Sequence, residues 1–375
     1  MISKKLKIGI DARLWGETGI GRYIRNLIKG LGEIKSENEY VFFVLPKNVD
    51  ALKSQVKNLK YSIVPTDIKW HSVKEQIDFP RLLNKYNLDL VHFPYFSVPV
   101  FYKKPYVLTL HDLILNNFST GKASTLPYPV FLTKRAGYKI VLRNALSHAR
   151  RIIVPTESVK KDLEKFYPKI KVPIKVIYEG GFEDSISESK TSIHKKYFIR
   201  VGNVYPHKNV ERLLEAFKLF KEERRGIKLV LAGKEDHFYK NIVRKVRDLG
   251  LQEDVLFYNS PSDQELKALY KGALALVIPS LMEGFSLTAI EAMSCGCPVV
   301  ASDIPVHREV CRDAVLYCNP NDSRDIKQKL EKVLDLSDSE REELIKKGKA
   351  QAKEFSWPKM VEETIKVYEG SIGLR

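Results

Sequence analysis

Cysteine is scarce in this chain: four in 375 residues, at Cys295, Cys297, Cys311 and Cys318. Four cysteines cannot staple a chain of this length, and Cys-Gly-Cys followed by two distant partners lacks the C-x-x-C pairs of common zinc sites. Small buried thiols are the expectation. Long apolar runs are missing too, and none reaches the ~18 residues a membrane-spanning helix requires. The first residues, "MISKKLKIGIDARLWG", pass at once into a short strand without a signal-peptide core, so a soluble, cytoplasmic chain is expected. "VPTES" forms no Gly-x-Ser-x-Gly elbow, which disfavours hydrolase chemistry of that kind. "GETGIGRYIRNL" lacks the third glycine of a dinucleotide fingerprint, because Ile24 stands in its place.

What is present has the balance of a globular protein, with 44% hydrophobic residues and a length that suggests two domains. The formal charge of +17 is unevenly spread. Residues 1–178 hold 31 Lys and Arg against 14 Asp and Glu, whereas the remainder carries 32 of each sign. The whole excess sits in the first half. An anionic partner for that half, nucleic acid or an acidic membrane surface, is one reading; a solvated basic surface is the other.

Short β-rich runs alternate with helical stretches. "LKIGIDAR", "EYVFFVLP", "KYSIVPT", "DLVHFP", "YVLTLHD" and "RIIVPTE" are read as strands of a first parallel unit over residues 1–178. The polar segment 179–195, "EGGFEDSISESKTSIHK", reads as a linker. "YFIRVG", "IKLVLAG", "DVLFYN", "LALVIPS" and "PVVAS" then restart the alternation in a second doubly wound unit over residues 196–355. The tail is helical, interrupted at "FSWPKM", where Pro358 suits a helix start at N1. Ligands of such α/β sheets lie beyond the carboxyl ends of the strands, so residues there become candidates.

Four stretches qualify. In the first glycine turn, Gly19 and Gly21 let backbone amides approach an anion at a helix N-terminus. "TLHD" ends a strand with His111 and Asp112, which could position a hydroxyl, orient a proton or simply close a capped loop. In "RVGNVYPHKNVERLL", Gly202 frees the turn, Asn209 suits an N-cap, and Lys208 is a cation where the helix dipole is already positive. That placement makes sense if an anion sits between them. Last, "LMEGFSLTAIEAM" puts Glu283 before a helix and Glu291 within it, with the first amides of that helix at "GFSL". Carboxylates accept hydrogen bonds from vicinal hydroxyls, so the two suit different parts of one elongated sugar-bearing ligand.

With these residues assembled, the chain resembles the retaining glycosyltransferases of family 4. The resemblance rests on "EGFSLTAIEAM", then "SCGCPVVASDIPVHREV" and "DAVLYCNPND", with "DARLWGETGIGRYIRNL", "TLHDL" and "GNVYPHKNVERLLEAF" in order before them. It points to the branch with bacterial mannosyltransferases of surface-polysaccharide assembly. The implied fold is GT-B: two Rossmann-like, doubly wound α/β domains facing a central cleft, with the helix in residues 356–375 crossing back to the first domain.

The resemblance also implies roles. Glu291 would hold the ribose of a nucleotide sugar and Glu283 the hydroxyls of the transferred hexose. Backbone amides of Gly284, Phe285, Ser286, Leu287 and Thr288 would meet sugar and diphosphate, with Gly202 and Asn203 in the facing turn. Lys208 would neutralise the leaving diphosphate, and Gly19 would approach it from the other domain. His111 would sit near the reacting sugar, with Gly21, Arg22 and Asp112 on the acceptor side. Family members commonly carry an Arg directly after the turn glycine; here it is Asn203, so Lys208, with help from His207, must carry more of the charge. A glycine usual near the base is replaced around Tyr258 to Ser260. The implied reaction retains configuration and requires neither metal nor cofactor, the donor being a co-substrate.

The expected partners are therefore a nucleotide sugar, GDP-mannose first, and a lipid-linked or saccharide acceptor, with no nucleic acid. The basic half would face anionic lipid on the inner membrane face through the cationic stretch Lys134–Arg151 and the aromatic segment 116–132 before it. Two alternatives from other classes are a nucleic-acid-binding protein, favoured by charge alone, and an NAD-dependent oxidoreductase, disfavoured by the incomplete fingerprint.

Overall fold

The computed structural model describes residues 5–117, 128–182 and 193–372. The expected linker 179–195 and the aromatic segment 116–132 fall largely outside them. The chain forms two compact units: Met1–Asn116, Ser124–Glu179 and Ser356–Arg375 make the first, Asn117–Ala123 and Gly180–Phe355 the second.

The first unit is a seven-stranded sheet in the order β3-β2-β1-β4-β5-β6-β7. Its strands are β1 (Lys7–Asp11), β2 (Glu39–Val44), β3 (Lys60–Pro65), β4 (Leu90–Phe93), β5 (Tyr106–Thr109), β6 (Arg151–Val154) and β7 (Ile174–Val176). Every pairing is parallel. A parallel sheet needs a crossover after each strand, and a buried one reads as an apolar run; β4 and β5 are buried at every position. The helices are α1 (Gly19–Glu33), α2 (Val49–Gln55), α3 (Val73–Asn84), α4 (Ile114–Asn117), α5 (Tyr128–His148) and α6 (Glu157–Phe166). In α1 the residues Ile24, Leu27, Ile28 and Leu31 repeat at helical spacing and are fully buried. Each contributes about 1.5–3 kcal/mol of burial.

The second unit is a six-stranded parallel sheet, order β10-β9-β8-β11-β12-β13. It comprises β8 (Tyr197–Val201), β9 (Lys228–Gly233), β10 (Val255–Asn259), β11 (Leu276–Ile278), β12 (Val299–Ser302) and β13 (Leu316–Cys318). Helices α7 (Val210–Glu223), α8 (Tyr239–Asp248), α9 (Asp263–Gly272), α10 (Leu287–Ser294), α11 (Pro305–Cys311), α12 (Ser323–Asp335) and α13 (Asp338–Lys353) connect and cover it. The order reverses between β8 and β11, so the crevice beyond their carboxyl ends is the ligand position such sheets favour. All four cysteines are buried free thiols in this unit.

The last helix, α14 (Trp357–Ser371), belongs to the first unit. Ser356 caps it and Pro358 stands at N2, one place later than expected from the sequence. It packs on α1 so closely that a Cβ at Gly30 would meet Val361 at 2.6 Å. Two strands were not foreseen, β7 and β13. Both are three-residue edge strands, too short to show alternation.

Candidate active site

In the second unit, β8 is followed by Gly202, whose φ of +112° only glycine adopts without strain. The turn that follows is held by Asp236, which accepts from the amides of Val204 and Phe238, each at 2.8 Å. A single 3-10 turn, Pro206–Lys208, then delivers Lys208. Asn209 precedes α7 as expected, but in the left-handed region with no side-chain cap. Its Nδ2 instead donates to the carbonyls of Pro279 and Pro320, at 3.0 and 2.7 Å. The residue that suits an N-cap by type clips three loops together.

Across from this turn, the segment after β11 leads into α10. Ser286 stands at its N-cap with φ +74° and ψ +50° and makes no capping hydrogen bond. The first amides of α10 therefore have no side-chain cap, and the dipole adds partial positive charge there. Lys208 Nζ donates to Glu283 Oε2 at 2.6 Å. Lys208 thus has one of the protein's own carboxylates as its partner in this structure. Burial works against the charge on Glu283, but Lys208 outweighs it and holds the carboxyl down at about 2. His307 faces the same group, yet burial lowers its own pKa as well, so the opposing charge near neutrality is that of Lys208. His207 is driven to about 3 by burial, with Lys208 adding to the shift. Burial thus opposes a charge on the His207 ring, against the charge help expected from it.

Several polar atoms here are buried without a hydrogen-bond partner among the described residues: Asn203 Oδ1, Ser280 Oγ, Ser286 Oγ and His307 Nε2. His307 Nδ1 lies 2.8 Å from the Ser302 carbonyl, which only accepts, so Nδ1 carries the proton and Nε2 offers a lone pair. Glu291 is 2% exposed, with the Tyr270 hydroxyl donating to Oε2 at 3.4 Å. The chain entering this unit lies over α10, where a Cβ at Gly181 would meet Ile290 at 2.8 Å. The Tyr258 hydroxyl donates to Glu265 at 2.8 Å, and Ser260, with φ +48°, bonds Asn259. Gly202, Asn203, Lys208, Glu283 and the stretch Gly284–Thr288 line the two turns of this unit. Tyr258 is in β10, two strands from β8 in the sheet, and Ser260 follows its end.

The remaining candidates belong to the first unit. Gly19 is exposed and opens α1, with nothing within 4 Å of a Cβ there. Gly21 is buried, and a Cβ would strike the carbonyls of Trp15 and Leu14 at 2.7 and 2.9 Å; turn packing explains this glycine. Arg22 is half-buried, and its carbonyl accepts from Asn26. Asp112 accepts from the amide of Ile114 and so starts α4. His111 Nε2 is 3.1 Å from the Pro94 carbonyl and Nδ1 is 3.0 Å from Glu179 Oε1. Tyr23 of α1 packs edge-on against the ring at 4.8 Å. Its hydroxyl lies 3.2 Å from Thr109 Oγ1, which continues to His92 Nε2 at 2.7 Å; His92 Nδ1 meets the Tyr368 hydroxyl at 2.7 Å.

Residues 182–351 match the family described as glycosyl transferases group 1, and residues 18–180 match Glycosyltransferase Family 4. The chain belongs to the glycosyltransferases. Among the proteins this glycosyltransferase resembles is the O-antigen chain mannosyltransferase RfbU of Salmonella typhimurium, 29% identical over 260 residues, 69% of each chain. O-antigen chain mannosyltransferase B of Escherichia coli is 36% identical over 178 residues, 46% of this chain and 45% of that one. The structure of Anabaena HepE in complex with UDP and glucose superposes with a TM-score of 0.75 at 15% identity, over 97% of this chain and 100% of that one. The fold is GT-B. Nucleic-acid binding and hydride transfer give way to this assignment.

Sequence reasoning missed three residues of the glycosyltransferase that its structure brings to these places: Glu179, Arg200 and His307. Glu179 was read as linker. Arg200 is one residue from the end of β8, where period-two reading treats a side chain as part of the sheet. His307 is hidden in "IPVHREV", and only a tertiary contact sets it beside Glu283.

Proposed function

We propose that the protein transfers a hexose, mannose from GDP-mannose first, to a lipid-linked or saccharide acceptor with retention of configuration and no required metal or cofactor. The observation that carries this is Lys208 paired with Glu283 at the side-chain-uncapped N-terminus of α10. A carboxyl held at about 2 is ionised at neutral pH, so Glu283 is no proton donor. With Oε2 engaged by Lys208, its other lone pairs accept from sugar hydroxyls. The α10 amides and Lys208 meet the diphosphate and stabilise its charge as it leaves. That diphosphate takes the acceptor proton on the same face. Glu291 grips the ribose.

The names of the relatives support mannose; the UDP in the HepE complex makes the base a matter for measurement. Thermal shift against GDP- and UDP-sugars tests the reading, since a ligand bound only by the folded state raises the melting temperature. GDP-mannose is expected to give the largest shift. A panel without any shift refutes the donor class, and the anomeric configuration of the product by NMR decides retention.

A specific observation favours attachment to anionic lipid from the cytoplasmic side. On α5, Leu132 and Ile140 are 43% and 63% exposed on the same helix as Lys134, Lys139 and Arg143. Apolar side chains among cations suit a headgroup surface. No helix among the described residues is long and apolar enough to cross a membrane. Sedimentation with phosphatidylglycerol vesicles at low salt is expected, and failure to sediment overturns this attachment.

A further inference from the structure

Arg200 is one residue from the end of β8 and only 4% exposed. Its guanidinium folds back on the turn it precedes: Nη1 donates to the carbonyl of Gly202. An ideal Cβ at Gly202 would lie 3.4 Å from that nitrogen. A guanidinium carries five N–H donors, and this contact is the hydrogen bond it makes among the described residues.

The carboxylates around it are bonded to other groups. Glu283 is engaged by Lys208, and Asp236 by two backbone amides. Both attract Arg200 through space, yet neither comes within ion-pairing distance. A buried cation without a partner is costly, and proteins rarely keep one unless an anion completes it. Burial lowers the pKa of Arg200 to about 10, which still leaves it charged at neutral pH.

Resting on the nucleotide-sugar reading above, we infer that Arg200 is a diphosphate-binding residue that supplies, from inside β8, the second cation facing the turn at Gly202. It differs from Lys208 in kind. Lys208 is a point charge already tied to Glu283, whereas Arg200 offers a planar fork that matches two phosphate oxygens at once. The cation absent at Asn203 is replaced by one three residues earlier, on the strand rather than the turn. Arg200 therefore distinguishes a diphosphate from a monophosphate.

Calorimetric titration of the full chain with GDP, GMP, UDP and UMP tests this. The wild type is expected to bind the diphosphate of its preferred base more tightly than the monophosphate. Arg200→Met is expected to lose about tenfold or more of diphosphate affinity, with monophosphate affinity held within about twofold. Arg200→Lys, which keeps the charge and loses the fork, should fall between, and it replaces the Met variant if that one fails to fold. An unchanged diphosphate-to-monophosphate ratio in the folded variants overturns the role of Arg200 and leaves the donor reading standing. A wild type that binds none of the four nucleotides overturns both.

Discussion

His111 and Glu179 are 68 residues apart in sequence, and their side chains meet at 3.0 Å. The other ring nitrogen faces the Pro94 carbonyl, which only accepts, so Nε2 carries a proton. The Glu179 contact needs a second proton, on Nδ1 or on the carboxyl. Neither nitrogen offers a free lone pair in this arrangement. His111 is therefore a fixed donor or platform rather than the base that takes the acceptor's proton.

Glu179→Gln preserves a hydrogen bond while presenting an amide donor to Nδ1. Turnover is expected to fall roughly tenfold or more, with donor KM unchanged and stability within about 1 kcal/mol. Steady-state kinetics beside urea denaturation measure both. Unaltered turnover would make the pair purely structural.

Lys208→Ala removes the partner of a carboxylate that is only 11% exposed. Transfer should be abolished and the second unit weakened by about 3–5 kcal/mol, because Glu283 is left charged and alone. The double variant Lys208→Met with Glu283→Gln removes both charges. It is expected to recover most of the melting temperature and none of the activity. Recovery of activity would show that the pair is needed for folding alone.

Glu291→Gln keeps the shape of the side chain and the contact with Tyr270. The fold is expected to persist while kcat/KM for the donor falls about a hundredfold, the scale of losing charge-assisted bonds to two hydroxyls. A kcat/KM close to wild type would remove Glu291 from the site.

Glu283, His92 and His207 contribute to the acid limb of stability. Glu283 titrates near 2 when folded against an ordinary value of 4.5. Its contribution is complete above about pH 4.5 and is lost as the pH falls through about 2. Buried His92 is held neutral, with its pKa lowered from 6.5 to about 3 by burial. Unfolding lets it take up a proton, so stability is lost as the pH falls from about 6.5 toward 3. The slope is about 1.4 kcal/mol per pH unit for that residue. Denaturation at pH 7, 6, 5 and 4 should show the loss, and His92→Gln should lessen it, leaving the share that His207 adds over the same range.

Tyr368→Phe leaves His92 Nδ1 without its partner in a fully buried place. A loss of about 1–3 kcal/mol is expected, confined to the first unit. Proteolysis of that unit at rising urea measures it.

The alternation of apolar runs with helical stretches was enough to read two parallel α/β units, because buried strands and their crossovers leave strong local patterns. Glu283, Lys208 and the "GFSL" turn were legible as site candidates because each sits at a strand end beside a helix start. Their mutual pairing was not, since a 2.6 Å contact between residues 75 apart depends on the packing of the two turns. Asn209 misled for the same reason: residue type suggests a cap, while tertiary carbonyls take its amide. Arg200 and Glu179 lay in stretches whose local pattern already had an explanation, as strand and linker.

The return of α14 to the first unit bears on how the protein is made. Gly30 and His92 leave the ribosome well before their partners Val361 and Tyr368. The second unit, whose Gly180–Phe355 lies between them, can finish folding while the first still exposes the α1 face around Gly30. The first unit is thus completed only after Gly180–Phe355 has been made, and a message truncated before Trp357 yields a product with an unfilled groove for chaperones and proteases to find.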